Sequence, residues 1–176
     1  IFSMAQRVTL AQTQMQMAAS NPQMHNMHEA YRRMYEALGV RDIDMLLPPP
    51  QQPQPEDPGM ENSKSLQMMK LQAFQGQNHM AHIKAHQAFM SSFLVANNPP
   101  TMGILQAHIS EHVALMAREE ITQKNAQVMQ EQAAQFGGQV PPELMQQFQM
   151  QNETEIAEKI VELTENLVAE EQEYLG

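Results

Sequence analysis

Seven histidines occur in a chain without cysteine, so any transition-metal chemistry here would rest on imidazole and carboxylate rather than thiolate. Five of the seven cluster. His79, His82 and His86 are three and four residues apart, which places them on one face of a helix, and the stripe continues through Phe89 and Phe93. His108 and His112 stand one turn apart with Glu111 between them. The string HISEH at 108–112 matches the H-x-x-E-H pattern, in which two imidazoles hold zinc and the carboxylate serves as base. If residues 97–100 reverse the chain, His86 faces His112, His82 faces Leu115, and Glu111 lies beside the pair. The preferred expectation is a partly polar helix interface, in which these histidines bond one another and the backbone. A metal or pH-switch role and zinc hydrolysis are the alternatives. With no third ligand at a fixed spacing, no residue is assigned as catalytic, cofactor-binding or metal-ligating, and no cofactor is expected.

Methionine forms a second constellation, 17 in all, with MQM at 15–17 and MHNMH at 24–28. Thioether with imidazole suits copper(I), which makes a Met/His-rich metal-binding helical protein an alternative class. Met24, Met27 and Met34 nonetheless share an apolar stripe with Tyr31 and Leu38, where an unbranched side chain fills irregular gaps, and core packing is preferred. From Glu153 to Glu173 there are eight Glu and one Lys. That is either a solvated helix face or, with copies lining a channel, a surface that repels DNA phosphate. No G-x-x-x-x-G-K-[ST], G-x-G-x-x-G or G-x-S-x-G motif occurs, nor a nucleophile with an adjacent base, so the chain is not expected to be an enzyme.

The elements that would position these groups are helical. The 176 residues are 42% hydrophobic but only 5% aromatic, with no Trp, so the apolar content sits in Met, Ala, Leu and Ile. A net charge of −10 excludes an electrostatic nucleic-acid binder, because phosphate neutralisation needs clustered cations. The chain opens on Ile1 rather than Met and is expected to be a piece of a longer protein. Apolar runs fall far short of the ~20 residues that span a bilayer, and no leader precedes them, so a soluble, non-secreted protein is expected. Spacings of three and four predict a helix from Phe2 to Ser20, through Ile1, Met4, Val8, Ala11, Met15 and Ala18. A second is expected after Ser20-Asn21-Pro22, ending at Gly39, followed by one capped turn at 42–47. Residues 48–58 (PPPQQPQPEDP) lack amide donors at the prolines and favour extended geometry.

Beyond them, helices are expected at Glu61–Phe74, from Asn78 to residues 97–100, and from Thr101 to Phe136. The last carries a seven-residue repeat through Leu105, His108, His112, Leu115, Glu119, Thr122, Ala126, Met129, Ala133 and Phe136. A helix of roughly 50 Å is too long for a domain of this size to bury alone, which points to packing on neighbouring helices or chains. Gly137-Gly138 and Pro141-Pro142 break it, a short Met/Gln/Phe helix follows, and Ile156, Ile160, Leu163, Leu167 and Tyr174 mark a final one. No strand pattern is visible. The expected fold is therefore all-α, with long amphipathic helices and a helical hairpin joined by Pro-rich linkers, extended and packing against neighbouring subunits. Its expected segments are an amphipathic helical pair at 1–47, a Pro-rich linker at 48–59, the hairpin region at 60–136, and a Pro/Gly break with an acidic helix at 137–176.

Three strings carry a family resemblance: AQRVTLAQTQMQMAASNPQMHNMHEAYRRMYEALGVRDIDMLLPPP at 5–50, HMAHIKAHQAFM at 79–90, and LQAHISEHVALMAREEI at 105–121. Together they resemble the C-terminal helical (crown or barrel) portion of portal proteins from tailed double-stranded DNA bacteriophages, over roughly residues 1–125. The resemblance implies a ring, commonly of twelve identical subunits, at one capsid vertex, through which DNA is packaged and later ejected. It implies no catalytic residues. The implied partners are identical subunits, the major capsid protein, terminase and tail adaptor through parts of the parent chain outside this segment, and double-stranded DNA passing without specific binding; no membrane is involved. The implied location is the virion, with the host cytoplasm during assembly. A phage scaffolding or adaptor protein built from the same helix chemistry is a further alternative.

Overall fold

The structure, a computed structural model, describes the backbone of residues 1–175 and the side chains of residues 1–173. Among these residues the chain is all-helical and without strands. It divides into two compact units, one from Ile1 to Pro53 and the other from Gln54 onward.

The first unit holds α1 (Met4–Ser20), a short 3-10 turn (Pro22–Met24), α2 (Met27–Ala37) and α3 (Ile43–Leu46). Ser3 opens α1 as a capping box: its hydroxyl accepts from the Gln6 amide while the Gln6 side chain accepts from the Ser3 amide. Helix α2 starts later than the proline signal suggested. Pro22 begins only the 3-10 turn, and Asn26, which accepts from the Glu29 amide, is the true N-cap. The helix pair buries only Ala11 and Ala18 fully, while Leu10, Met17, Tyr31 and Leu38 remain exposed. The expected apolar stripes thus exist as rows but are not a closed core within this unit.

The second unit is built on α7 (Pro99–Gln135), 37 residues and about 55 Å long at ~1.5 Å per residue. Helix α5 (His79–Met90) and the one-turn α6 (Phe93–Ala96) return antiparallel along it, α4 (Pro58–Leu66) packs on both α5 and α7, and α8 (Pro142–Leu175) runs antiparallel along α7. Leu71, Val95 and Leu105 form one apolar cluster with Phe89 and Met102 around them. Ile83, Val113 and Leu167 form a second, joining α5, α7 and α8. Among the described residues no helix is long and apolar enough to cross a membrane.

Several further boundaries differ from the sequence expectation, among them the start of α7 at Pro99 rather than Thr101. Helix α4 spans Pro58–Leu66 rather than Glu61–Phe74, because Asp57 caps its start through the Gly59 and Met60 amides and Met68 turns left-handed (φ 61°) at its end. The Met68 and Met69 amides then bond back to Ser65 and Lys64, which closes the helix two residues after its last turn. Residues 67–77 are consequently a non-helical strap. Helix α5 ends at Met90 rather than near 97, since Ser91 and Ser92 interrupt it before α6. The pair of helices expected after Pro142 is one continuous helix of 34 residues, with Ile156 and Leu167 buried against the unit and Ile160 and Leu163 half-buried; the side chain of Tyr174 lies outside the described residues. The seven-residue seam on α7 also fails to hold throughout. After His112 the buried positions shift to Val113, Ala117 and Ile121, because the helix faces α4 and α5 on one side and α8 on another.

These contacts set a stability expectation. Leu105→Ala, which removes a fully buried side chain, should lower unfolding stability by about 2–5 kcal/mol. Val128→Ala on the exposed part of the same helix should change it by no more than about 0.5 kcal/mol. Urea denaturation followed by circular dichroism reads both.

Candidate metal centre

Five polar side chains converge between α4, α5 and α7. His82 and His86 are one turn apart on α5, and His108 and His112 are one turn apart on α7, so both pairs point from one face of their helix. Glu61 comes from the first turns of α4, placed by the Asp57 cap and by Pro58 at the first helical position. The Thr101 hydroxyl on α7 donates to the Ser65 carbonyl at 3.4 Å and ties α4 down one turn further on. All five side chains are buried, and His86 and His112 are fully so.

The carboxylate is the centre of the group. Glu61 Oε2 lies 2.8 Å from His82 Nδ1, 3.1 Å from His86 Nε2 and 3.2 Å from His108 Nε2. His108 Nε2 is in turn 3.1 Å from His112 Nε2. Two of the far ring nitrogens have partners of their own. His86 Nδ1 is 2.7 Å from Asn62 Oδ1, and His112 Nδ1 is 2.9 Å from His79 Nδ1. His79 Nε2 and His108 Nδ1 sit 3.3 and 3.6 Å from the carboxylates of Glu119 and Glu111, close enough for charge but without a well-aligned hydrogen bond.

The strap at 67–77 is held by the same two outer carboxylates. The Ala73 amide donates to Glu111 Oε2 at 3.0 Å and the Gly76 amide to Glu119 Oε1 at 2.6 Å. The Gly76 contact holds the Glu119 carboxyl below its usual value. Burial alone would raise the carboxyl of Glu61, but the contacts from His108, His86 and His82 outweigh it and hold it well below the ordinary carboxylate range. For His112, burial first and then the neighbouring His108 and His82 push the imidazole down to about 3. At neutral pH the group therefore contains an ionised carboxylate beside a neutral His112.

No protein-family model, curated protein or solved structure matches this chain. Chemistry at the cluster therefore has to be read from the side chains themselves. Four imidazoles and one carboxylate, each offering one atom within 4.8 Å of the others, are a donor set for a transition-metal cation. The hydrolytic arrangement that HISEH suggested is a different matter. Glu111 is exposed, accepts from the strap and faces the outer nitrogen of His108, so it is turned away from the convergence point where a base would act.

The hairpin register expected from residues 97–100 is displaced. His112 lies against His79 and His82, with ring centroids 5.2 and 4.6 Å apart, while His86 lies against His108 at 5.0 Å and is 6.0 Å from His112. Early termination of α5 and insertion of α6 move the turn toward the N-terminus by several residues. Glu61, the central group, had no signal in the sequence, because it stands 21 or more residues from every histidine it touches. On the first unit the Met/His string is not gathered in the same way. His25 and His28 each engage a backbone carbonyl, of Asn21 and Pro48, and Met24 is exposed.

The pH dependence has a definite sign. Unfolded His112 takes up a proton as pH falls through about 6.5 and the folded form does not until about 3. Stability is therefore lost progressively across that window. Glu61, lowered when folded, contributes stability that is present above its ordinary value of 4.5 and lost as pH falls further. Acid unfolding followed by helical signal should begin below pH 6.5, and His112→Leu should flatten the slope between 6.5 and 4.5.

Proposed function

We propose that this chain is the helical part of a portal-ring subunit of a tailed double-stranded DNA bacteriophage, a structural and non-catalytic piece of the conduit for DNA packaging and ejection. The sequence strings at 5–50, 79–90 and 105–121 motivate the proposal, and one structural observation supports it: apolar side chains stand exposed in rows along both units. Leu10, Met17, Tyr31 and Leu38 do so on α1 and at α2, and Val128, Met150, Val161 and Val168 on α7 and α8. A Val, Leu or Met side chain moved from water into an interface contributes about 1.5–3 kcal/mol. Rows of this kind are what neighbouring copies in a ring would cover.

Charge is compatible with the conduit. Helix α8 carries nine glutamates, of which Glu153 forms a two-pronged pair with Arg118 at 3.0 and 3.2 Å and Glu162 pairs with Lys159. The remaining excess of negative charge disfavours adsorption of DNA. In this proposal the chain meets identical subunits and the major capsid protein directly. Terminase and tail adaptor would meet other parts of the parent protein, and the assembly would reside in the virion.

Native mass spectrometry of the complete parent protein, with electron microscopy, should show closed rings of about a dozen copies. A monomer or dimer would sink the proposal. Loss of the protein from mature particles would favour a scaffolding role in its place.

A further inference from the structure

We propose that Glu61, His82, His86, His108 and His112 bind one divalent first-row transition-metal ion, which acts as a closed structural clamp joining α4 to the α5–α7 hairpin. This does not depend on the portal proposal.

Distance is the first support. Donors held at about 2.0–2.2 Å from one ion stand about 3.0 Å apart when adjacent at right angles. The inward atoms here are separated by 2.8, 3.1, 3.2 and 3.1 Å along the series from His82 to Glu61, Glu61 to His86, Glu61 to His108, and His108 to His112.

Proton accounting is the second. With His86 donating its Nδ1–H to Asn62 Oδ1, its Nε2 presents a lone pair toward a carboxylate oxygen 3.1 Å away. If His79 directs its Nε2–H toward Glu119, its Nδ1 accepts from His112, and the lone pair of His112 Nε2 then points inward as well. Inward lone pairs facing one another and an anion repel. His82 and His108 can each turn a ring N–H toward Glu61 Oε2 while neutral, which leaves the lone pair of His86 Nε2 against the same oxygen, whereas a single cation takes up all five donor atoms with the rings neutral.

The outer contacts are the third. Metal-bound imidazoles are oriented by an acceptor on their far nitrogen, and Asn62 and His79 occupy those places for His86 and His112, while the Glu111 carboxylate lies 3.6 Å from the far nitrogen of His108 without a hydrogen bond to it.

The donor types select the class of ion. Four nitrogens and one oxygen without thiolate or thioether disfavour copper(I), and nitrogen-rich ligation disfavours calcium and magnesium, which take oxygen. Five protein donors in a buried setting leave little room for substrate, which is the pattern of a structural rather than a catalytic site. The ion would thereby fix α4, the helix that follows the proline-rich segment, onto the hairpin.

The test uses the full chain without a histidine tag, stripped by chelation and then loaded separately with zinc alone and cobalt(II) alone. One equivalent of zinc should survive gel filtration and raise the unfolding midpoint, and cobalt should give the visible bands of a five- or six-coordinate nitrogen/oxygen site. His112→Leu should lose that equivalent. Asn62→Ala, which leaves all five donors in place, should weaken zinc about 10–100-fold. The double change His25→Gln with His28→Gln should leave stoichiometry unchanged. Retention of only trace metal by the unaltered chain would overturn the proposal, as would zinc binding that is indifferent to His112→Leu and Asn62→Ala or that disappears with His25 and His28. A monomeric parent protein holding one zinc would remove the ring and keep the site.

Discussion

A carboxylate taken out of water is costly unless charge and hydrogen bonds are returned to it, and Glu61, 2% exposed, is the side chain of the second unit around which that compensation is arranged. Three imidazoles from two helices stand on one of its oxygens. For that to happen α4 must be pinned at both ends. Asp57 and Pro58 set its start, and the Thr101 hydroxyl and the left-handed Met68 set its finish. The turn of the hairpin must also fall near Ser91–Asn98, since a shift of one residue on α5 would rotate His82 and His86 by about 100° away from the carboxylate.

The same constraint explains how α7 is used. Its histidine stripe faces α4 and α5, while Val113, Ala117 and Ile121 continue the buried surface toward α8. Glu111 and Glu119 flank the stripe and serve twice, as charges beside the outer nitrogens of His108 and His79 and as acceptors for backbone amides of the strap. A non-helical segment can therefore lie against a helix without leaving those amides unpaired. Polar burial and the apolar clusters at Leu105 and Ile83 are thus parts of one packing arrangement.

In contrast, the first unit buries almost nothing but two alanines, and the far halves of α7 and α8 present Val128, Phe136, Met150 and Val161 to solvent. Around the histidines the chain buries Ile83, Val95 and Leu105, although Met60, Met68, Phe93 and Leu94 on α4, the strap and α6 remain exposed. Arg118, Lys124 and Lys159 are spent on glutamates along the α7–α8 contact, so the acidic balance of the surface is maintained by pairing within the chain.

The amino-acid sequence by itself determined that the chain is helical, where Pro and Gly stop the helices, and that His82/His86 and His108/His112 share helix faces, because these follow from local torsions and a period of 3.6 residues. The glycine pair at 137–138 closes α7 with positive φ where expected, whereas that helix opens at Pro99, two residues before the expected Thr101. Only the tertiary structure decided the hairpin register, the early end of α4, the unbroken length of α8 and the choice of Glu61 over Glu111 as the carboxylate at the centre. Each of those depends on which surfaces meet across 20 or more residues of intervening chain. Periodicity places a residue on a face, but it does not say which other face will be laid against it.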